Sequence, residues 1–253
     1  MKRRYKLLIG FIVVGIILII IFIFTRDKKV YYLSLGDSLA AGQTPNNTIS
    51  YSYGDYVADY LKDHEVLEFY TKGFSKSGYR SIDLLNDLNK NKNIKVGKNK
   101  ITIKNALIKA DLVTVSIGAN DLFYKLNVGN EFSIEQYDDI YDYVDEAMND
   151  VDKLLKEIRK SCKEQVMVLG FYNPFTNFSS ALSSSVEPVV EYANAKMHNI
   201  VKKYNMDFVD IHNTFLANNN YLPSKLEIHP TKDGYRAISK NIIELINKKM
   251  LAK

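Results

Sequence analysis

The sequence holds one cysteine in 253 residues, Cys162, which excludes an intrachain disulfide. Set in EIRKSCKEQ on a predicted helix, that thiol reads as structural and not catalytic. No internal repeat and no long low-complexity segment is present, and the length fits one domain. No Gly-x-Gly-x-x-Gly follows a strand, and GQTPNN (42–47) is not a phosphate loop, which argues against a nucleotide- or phosphate-binding protein. The folded part also lacks a basic excess. Residues 1–29 carry +6, so the whole chain's +5 leaves −1 for the rest. A nucleic-acid partner, which wants a basic face on the domain itself, is therefore not expected.

What is present is apolar residues in quantity. The chain is 46% hydrophobic and 25% charged, enough to bury a core and too apolar for a disordered chain. One run, LLIGFIVVGIILIIIFIF (7–24), has no polar or charged side chain. As a helix it would span about 27 Å, the thickness of a bilayer's hydrocarbon. TRDKK follows it, and the first downstream alanine is Ala40, so a small-x-small cleavage site is missing and an uncleaved anchor is favoured over a signal peptide. Lys2, Arg3, Arg4 and Lys6 precede the run, which places the N-terminus in the cytosol and the domain outside it. Residues 1–29 are thus read as a membrane anchor and 30–253 as the domain.

Within the domain, strand and helix patterns alternate. Strands are predicted at 30–35, 66–72, 111–118, 165–172 and 207–211. Helices are predicted at 52–64, 81–90, about 133–162, 185–205 and 232–250. Ser133 and Gln136 form a capping-box pattern at the start of the long one. The lysine-rich stretch 93–107 reads as a small hairpin or a loop. DLVTVSIG (111–118) is β-branched and continuously apolar, as strands covered on both faces are. The alternation predicts a three-layer α/β/α sandwich with a mostly parallel sheet. In such sheets ligands sit beyond the carboxyl ends of the strands. Ser38, Gly78 and Asn120 each follow a predicted strand and converge on that edge.

A serine hydroxyl becomes a nucleophile when a base takes its proton, and the usual base is histidine. There are four. His64 reads as a capping or solvated residue and His198 as helix packing. His212, just after the last strand, and His229, before the last helix and fixed by Pro230, both remain as candidates. Acyl transfer also needs donors for an oxyanion. Glycine lets a backbone N–H approach a substrate closely, so Gly78 qualifies; the Asn120 amide and the Ser38 N–H are the other two.

GDSLAAG (36–42), SGYRS (77–81), GAND (118–121) and HP (229–230) stand in the order of the four blocks of the GDSL or SGNH hydrolases, which the chain resembles over nearly all of residues 30–250. FYNPF (171–175) is also similar to members described as lipases or acylhydrolases. The resemblance implies a flavodoxin-like α/β/α fold and ester hydrolysis with neither metal nor organic cofactor. It implies Ser38 as nucleophile, His229 as base, and the Ser38 N–H, Gly78 N–H and Asn120 side chain as oxyanion hole. Asp37 and Asp121, beside them, read as loop-bracing residues. One position departs from the pattern: three before the histidine, where the family has aspartate, stands Leu226. Glu227, two before, reaches His229 if the segment is extended. A backbone carbonyl and the more distant Asp210 are the other options. Gly73 replaces an asparagine common in relatives, which touches loop bracing. The expected activity is a membrane-anchored esterase acting on lipid or O-acylated glycan esters. An O-acyltransferase, or a binding or scaffold protein that lost turnover, are the alternatives. Tyr51, Tyr53, Tyr56 and Tyr60 are read as helix packing before a ligand groove.

Overall fold

Unbroken apolar strands need two covering layers, and the chain supplies both. The computed structural model describes residues 29–126, 139–178, 180–223 and 227–252. Along it run β1 (Val30–Gly36), α1 (Ser38–Ala41), α2 (Tyr53–Asp63), β2 (Leu67–Thr71) and α3 (Ser81–Asn89). Next come β3 (Asn93–Val96), β4 (Asn99–Thr102), α4 (Ile103–Lys109), β5 (Leu112–Ser116), α5 (Ala119–Lys125) and α6 (Ile140–Ser161). The chain then forms β6 (Gln165–Leu169), α7 (Ser180–Lys203), β7 (Asp207–Val209), α8 (His212–Leu216) and α9 (Lys232–Ile246).

Five strands make one parallel sheet in the order β2-β1-β5-β6-β7. Counted within the sheet this is 2-1-3-4-5, the flavodoxin order, whose direction of growth reverses between β1 and β5. Side chains alternate across the strands. Leu33, Leu35, Val113, Val115, Val166 and Val168 join one cluster with α3, α4, α6 and α7. Tyr32, Leu112, Met167, Leu169 and Val209 join the other with α2, α8 and α9. That is the expected three-layer sandwich. Helix α6 buries Ile140, Val144, Ala147, Met148, Val151, Leu154, Leu155 and Ile158, one face at helical spacing. Helix α2 opens on a capping box, Ser52 with Asp55.

The differences from the sequence reading are local. The 93–107 stretch is a hairpin, β3 with β4, followed by a helix the reading lacked. Helices α4, α5 and α8 have seven, seven and five residues, too few turns to show a period. Helix α7 begins at Ser180, ahead of the expected 185, and carries Pro188 inside it, where Val186, Val189 and Val190 hold the surrounding turn in the core. Strands β6 and β7 stop at Leu169 and Val209, short of the predicted 172 and 211. Helix α9 ends at Ile246 and passes into a π-helical turn, Asn247–Leu251. The predicted start of α6 with its Ser133–Gln136 box, and the apolar run 7–24, lie outside the described residues. Among the described residues, no helix is long and apolar enough to cross a membrane.

Gly36 ends β1 opposite Ser116 of β5. Its φ is +131°, and an added Cβ would stand 1.8 Å from the Ser116 carbonyl oxygen. Gly97, in the β3–β4 turn at φ +59°, has nothing within 4 Å of such a Cβ. Gly97→Ala should therefore cost only the left-handed backbone, about 1 kcal/mol. Gly36→Ala should cost about 4 kcal/mol or more, because backbone must move. Urea unfolding midpoints of the two variants check this.

Candidate active site

Ser38 is the first residue of α1, lifted off the end of β1 by Gly36 and Asp37. Asp37 fixes that corner. Its Oδ1 accepts from the Leu39 N–H at 3.1 Å and from the Ser116 hydroxyl at 2.9 Å, and its own N–H donates to the Ser116 carbonyl at 2.9 Å. Burial pushes the Asp37 carboxyl up to about 7, against the lowering effect of the Ser116 and Leu39 bonds.

The loop after β2 brings Gly78 alongside. The Lys76 N–H donates to the Gly36 carbonyl at 3.0 Å, and the Ser75 hydroxyl to the Ser34 carbonyl at 2.9 Å. These bonds supply the bracing that Gly73 cannot. Gly78 has φ +78°, and a Cβ there would meet nothing within 4 Å, so the glycine serves backbone conformation and exposure and not tight packing.

Asn120 and Asp121 open α5 and reach back to the same loop. The Asn120 amide donates to the Tyr79 carbonyl at 3.0 Å, leaving its second N–H for another acceptor. Asp121 accepts from the Ser81 N–H, at 2.9 and 3.1 Å, and from the Ser81 hydroxyl at 3.2 Å. Its carboxyl is raised to about 6, chiefly by burial. Both aspartates therefore brace loops, as expected.

His229 precedes α9, whose N-cap is Thr231. The Tyr172 hydroxyl donates to the Ile228 carbonyl at 2.6 Å and holds this segment against the end of β6. Glu227 Oε1 lies 2.8 Å from His229 Nδ1 and accepts the His229 N–H at 2.9 Å. With Nδ1 donating to that carboxylate, Nε2 carries the lone pair, the form a base requires. Asp210 is elsewhere, accepting from His212 N–H and Asn213. His212 is taken up by Glu187 at 2.5 Å from Nε2 and does not line the cavity described next. His64 bonds the Tyr60 carbonyl at the end of α2, and His198 packs on Phe208. Cys162 is buried, and burial raises its thiol pKa.

Ser38, Gly78, Asn120 and His229 all line one cavity of about 310 Å³. Ser38 and His229 share it without a direct hydrogen bond, a spacing common where no substrate is bound. Among the described residues, neither the Ser38 N–H nor the Gly78 N–H has a hydrogen-bond acceptor. Two backbone donors without an acceptor and one amide donor thus belong to residues that line the same cavity as His229. Of the tyrosines, Tyr53 is buried and Tyr60 bonds Asn247, whereas Tyr51 and Tyr56 line a second surface recess with Arg236.

Residues 34–237 match the model of the GDSL-like lipase/acylhydrolase family. The chain belongs to that family. Solved structures agree in fold. A lipase from a goat rumen metagenome is 20% identical with a TM-score of 0.65, over 84% of this chain and 95% of that one. The extracellular lipase of Streptomyces rimosus is 20% identical with a TM-score of 0.60, over 86% and 98%. An acetylxylan esterase from Geobacillus stearothermophilus is 16% identical with a TM-score of 0.60, over 87% and 95%. Among curated proteins, none matches the sequence. As a GDSL-family member the protein is a serine ester hydrolase.

Several residues that support the GDSL site escaped the sequence reading. Ser116 fell inside a stretch, 111–118, read as a continuously apolar strand. Ser81 and Tyr172 gave no signal beyond their neighbours. Asn173 is buried, and its amide donates to the Ser183 carbonyl at 3.0 Å and to Glu187 at 2.8 Å, tying the post-β6 loop to α7. Its one mark in the sequence was an Asn-Pro turn.

The raised Asp37 pKa has a sign for stability. The folded state holds this proton more tightly than the unfolded chain, so stability falls as pH rises from about 4 to about 7 and levels off above. Asp37→Asn keeps an oxygen for Ser116 and Leu39 and removes the titration. Its stability relative to the parent should improve by roughly 2–4 kcal/mol between pH 4 and pH 8, since each tenfold difference in proton affinity is worth about 1.4 kcal/mol. Urea denaturation across that range checks it; a parallel pH dependence in both proteins would refute it.

Proposed function

We propose that the protein is a membrane-anchored serine esterase, with its domain outside the cytoplasm, that works through an acyl-Ser38 intermediate. The observation that carries the reading is the pair of backbone N–H donors, at Ser38 and Gly78, that have no acceptor among the described residues and belong to residues lining the same cavity as His229. Backbone donors are rarely left unpaired, and here they surround the space where a carbonyl oxygen would gain charge. His229 Nε2 takes the Ser38 hydroxyl proton as Oγ attacks the ester carbonyl carbon. The oxyanion is held by the Ser38 and Gly78 N–H groups and the free Asn120 amide hydrogen. As the C–O bond to the alcohol breaks, His229 returns the proton to the leaving oxygen. Water, deprotonated by His229 in turn, attacks the acyl-serine and releases the acid. Glu227 orients the imidazole and stabilises its charged form. The irregular position of this acid was the one feature favouring a protein without turnover, and a 2.8 Å contact at Nδ1 weighs against that alternative.

Ser38→Ala should lower kcat on p-nitrophenyl esters by about four to six orders of magnitude and abolish labelling by a fluorophosphonate. Glu227→Gln should lower kcat by about two to four orders with KM little changed, because the wrong tautomer is favoured. Labelling that persists in Ser38→Ala would sink the assignment.

The anchor rests on residues 7–24 and their basic flank. The full-length chain should stay in the membrane pellet after alkaline carbonate extraction, and a chain lacking 7–24 should not. Protease applied to the outer face should remove the domain. A carbonate-soluble full-length chain would overturn this part.

A further inference from the structure

The cavity at Ser38 is much larger than an acetyl group needs. It extends from the Ser38 edge between α6 and α7, and its wall is formed by residues such as Val144, Ala147, Phe175, Val186, Val190 and Ala193. Among the described residues, the only carboxylate and imidazole lining it are those of Asp37 and His229, which belong to the site itself. Gln43, Asn120 and Tyr172, the other large polar side chains among the described lining residues, come from the segments around Ser38 and not from α6 or α7. Among the described residues, the α6 and α7 side of the wall offers no group with which to bind a sugar hydroxyl or a phosphate. The room exists because small side chains face it: Ala147 on α6 and Ala193 on α7 stand among valines and phenylalanines, and both are buried.

We infer that this cavity is the acyl pocket and fits a straight chain of about eight to ten carbons, making the protein selective for medium-chain esters over acetyl esters. The inference rests on the serine-hydrolase reading above and adds the class of acid. A cavity of about 150 Å³ lined by Leu, Ile and Phe holds one benzene, and a methylene takes roughly the 30 Å³ of a water molecule. The 310 Å³ here therefore accommodates about ten carbons. An acetyl group would leave most of the apolar wall uncovered, whereas each added methylene that meets it strengthens binding roughly fourfold. That volume is smaller than a sixteen-carbon chain needs, so hexadecanoate leaves part of its chain outside the apolar wall.

The test is a chain-length series of p-nitrophenyl esters, acetate to hexadecanoate, on the purified full-length protein. Expected is a kcat/KM at least roughly tenfold higher for octanoate or decanoate than for acetate, falling again at hexadecanoate. In Ala193→Phe the octanoate-to-acetate ratio should drop at least tenfold, as the ring fills the channel. Val190→Phe, from the same wall, serves if the first variant does not fold. A profile highest at acetate and abolished by Ser38→Ala would overturn the acyl pocket and leave the hydrolase standing. So would a ratio unchanged in a folded variant. If no ester is turned over and Ser38 is not labelled, the hydrolase reading fails, and calorimetric titration with decanoate decides the pocket alone. Saturable binding lost in Ala193→Phe supports the pocket, and no binding to the parent protein overturns it.

Discussion

Two buried carboxylates hold the site together. Asp37 joins the corner after β1 to Ser116 at the end of β5, and Asp121 joins the start of α5 to Ser81 at the start of α3. Each strand end alone leaves a loop free to choose among conformations. Each carboxylate removes that choice by accepting two or three hydrogen bonds, at least one of them from a different segment. The bonds do not fully offset the desolvation, since both carboxyls stay raised, to about 7 and about 6. The site thus accepts an electrostatic cost for placement.

The topology explains why these segments meet at all. The sheet grows outward in two directions from β1 and β5, and the loops beyond those two strands diverge to opposite faces, opening a crevice between them. Ser38 comes from one lip and Asn120 from the other. Gly78 arrives from the neighbouring β2 loop, and His229 from the far end of the chain, beside β6, where Tyr172 bonds its loop. Sequence separation is thus no guide to distance here. The four residues span 192 positions and line one cavity.

This bears on what the sequence could reveal. The strands were legible because burial on both faces writes continuous apolar runs, and helix α6 because it covers enough turns to show its period. Ser38, Gly78, Asn120 and His229 were legible through motif order and through their placement at strand ends. What escaped was of two kinds. Helices α4, α5 and α8 are too short for periodicity to register. The supports Ser116, Ser81, Tyr172 and Asn173 act through partners distant in sequence, and a serine that bonds a carboxylate 79 positions away carries no local mark of doing so. The choice between His212 and His229 was likewise undecidable from local pattern. Both follow strands or precede helices, and only the folded chain shows that Glu187, from α7, has already engaged His212.

Glu227 shows how a departure from a motif can preserve the geometry that motif encodes. An aspartate three residues before a histidine reaches the ring through a turn, with a short side chain and a curled backbone. A residue two before lies on the same side of an extended segment and is closer along the chain. Glutamate's extra methylene lets its carboxylate swing back past the intervening Ile228, and one oxygen then meets both the His229 N–H and Nδ1. The backbone bond holds the carboxylate beside the ring. What a base of this kind requires is an acceptor at Nδ1 with a fixed direction. Spacing and side-chain length can trade against each other so long as that acceptor stays in place, which is why a rule stated in atoms tolerates a substitution that a rule stated in positions would reject.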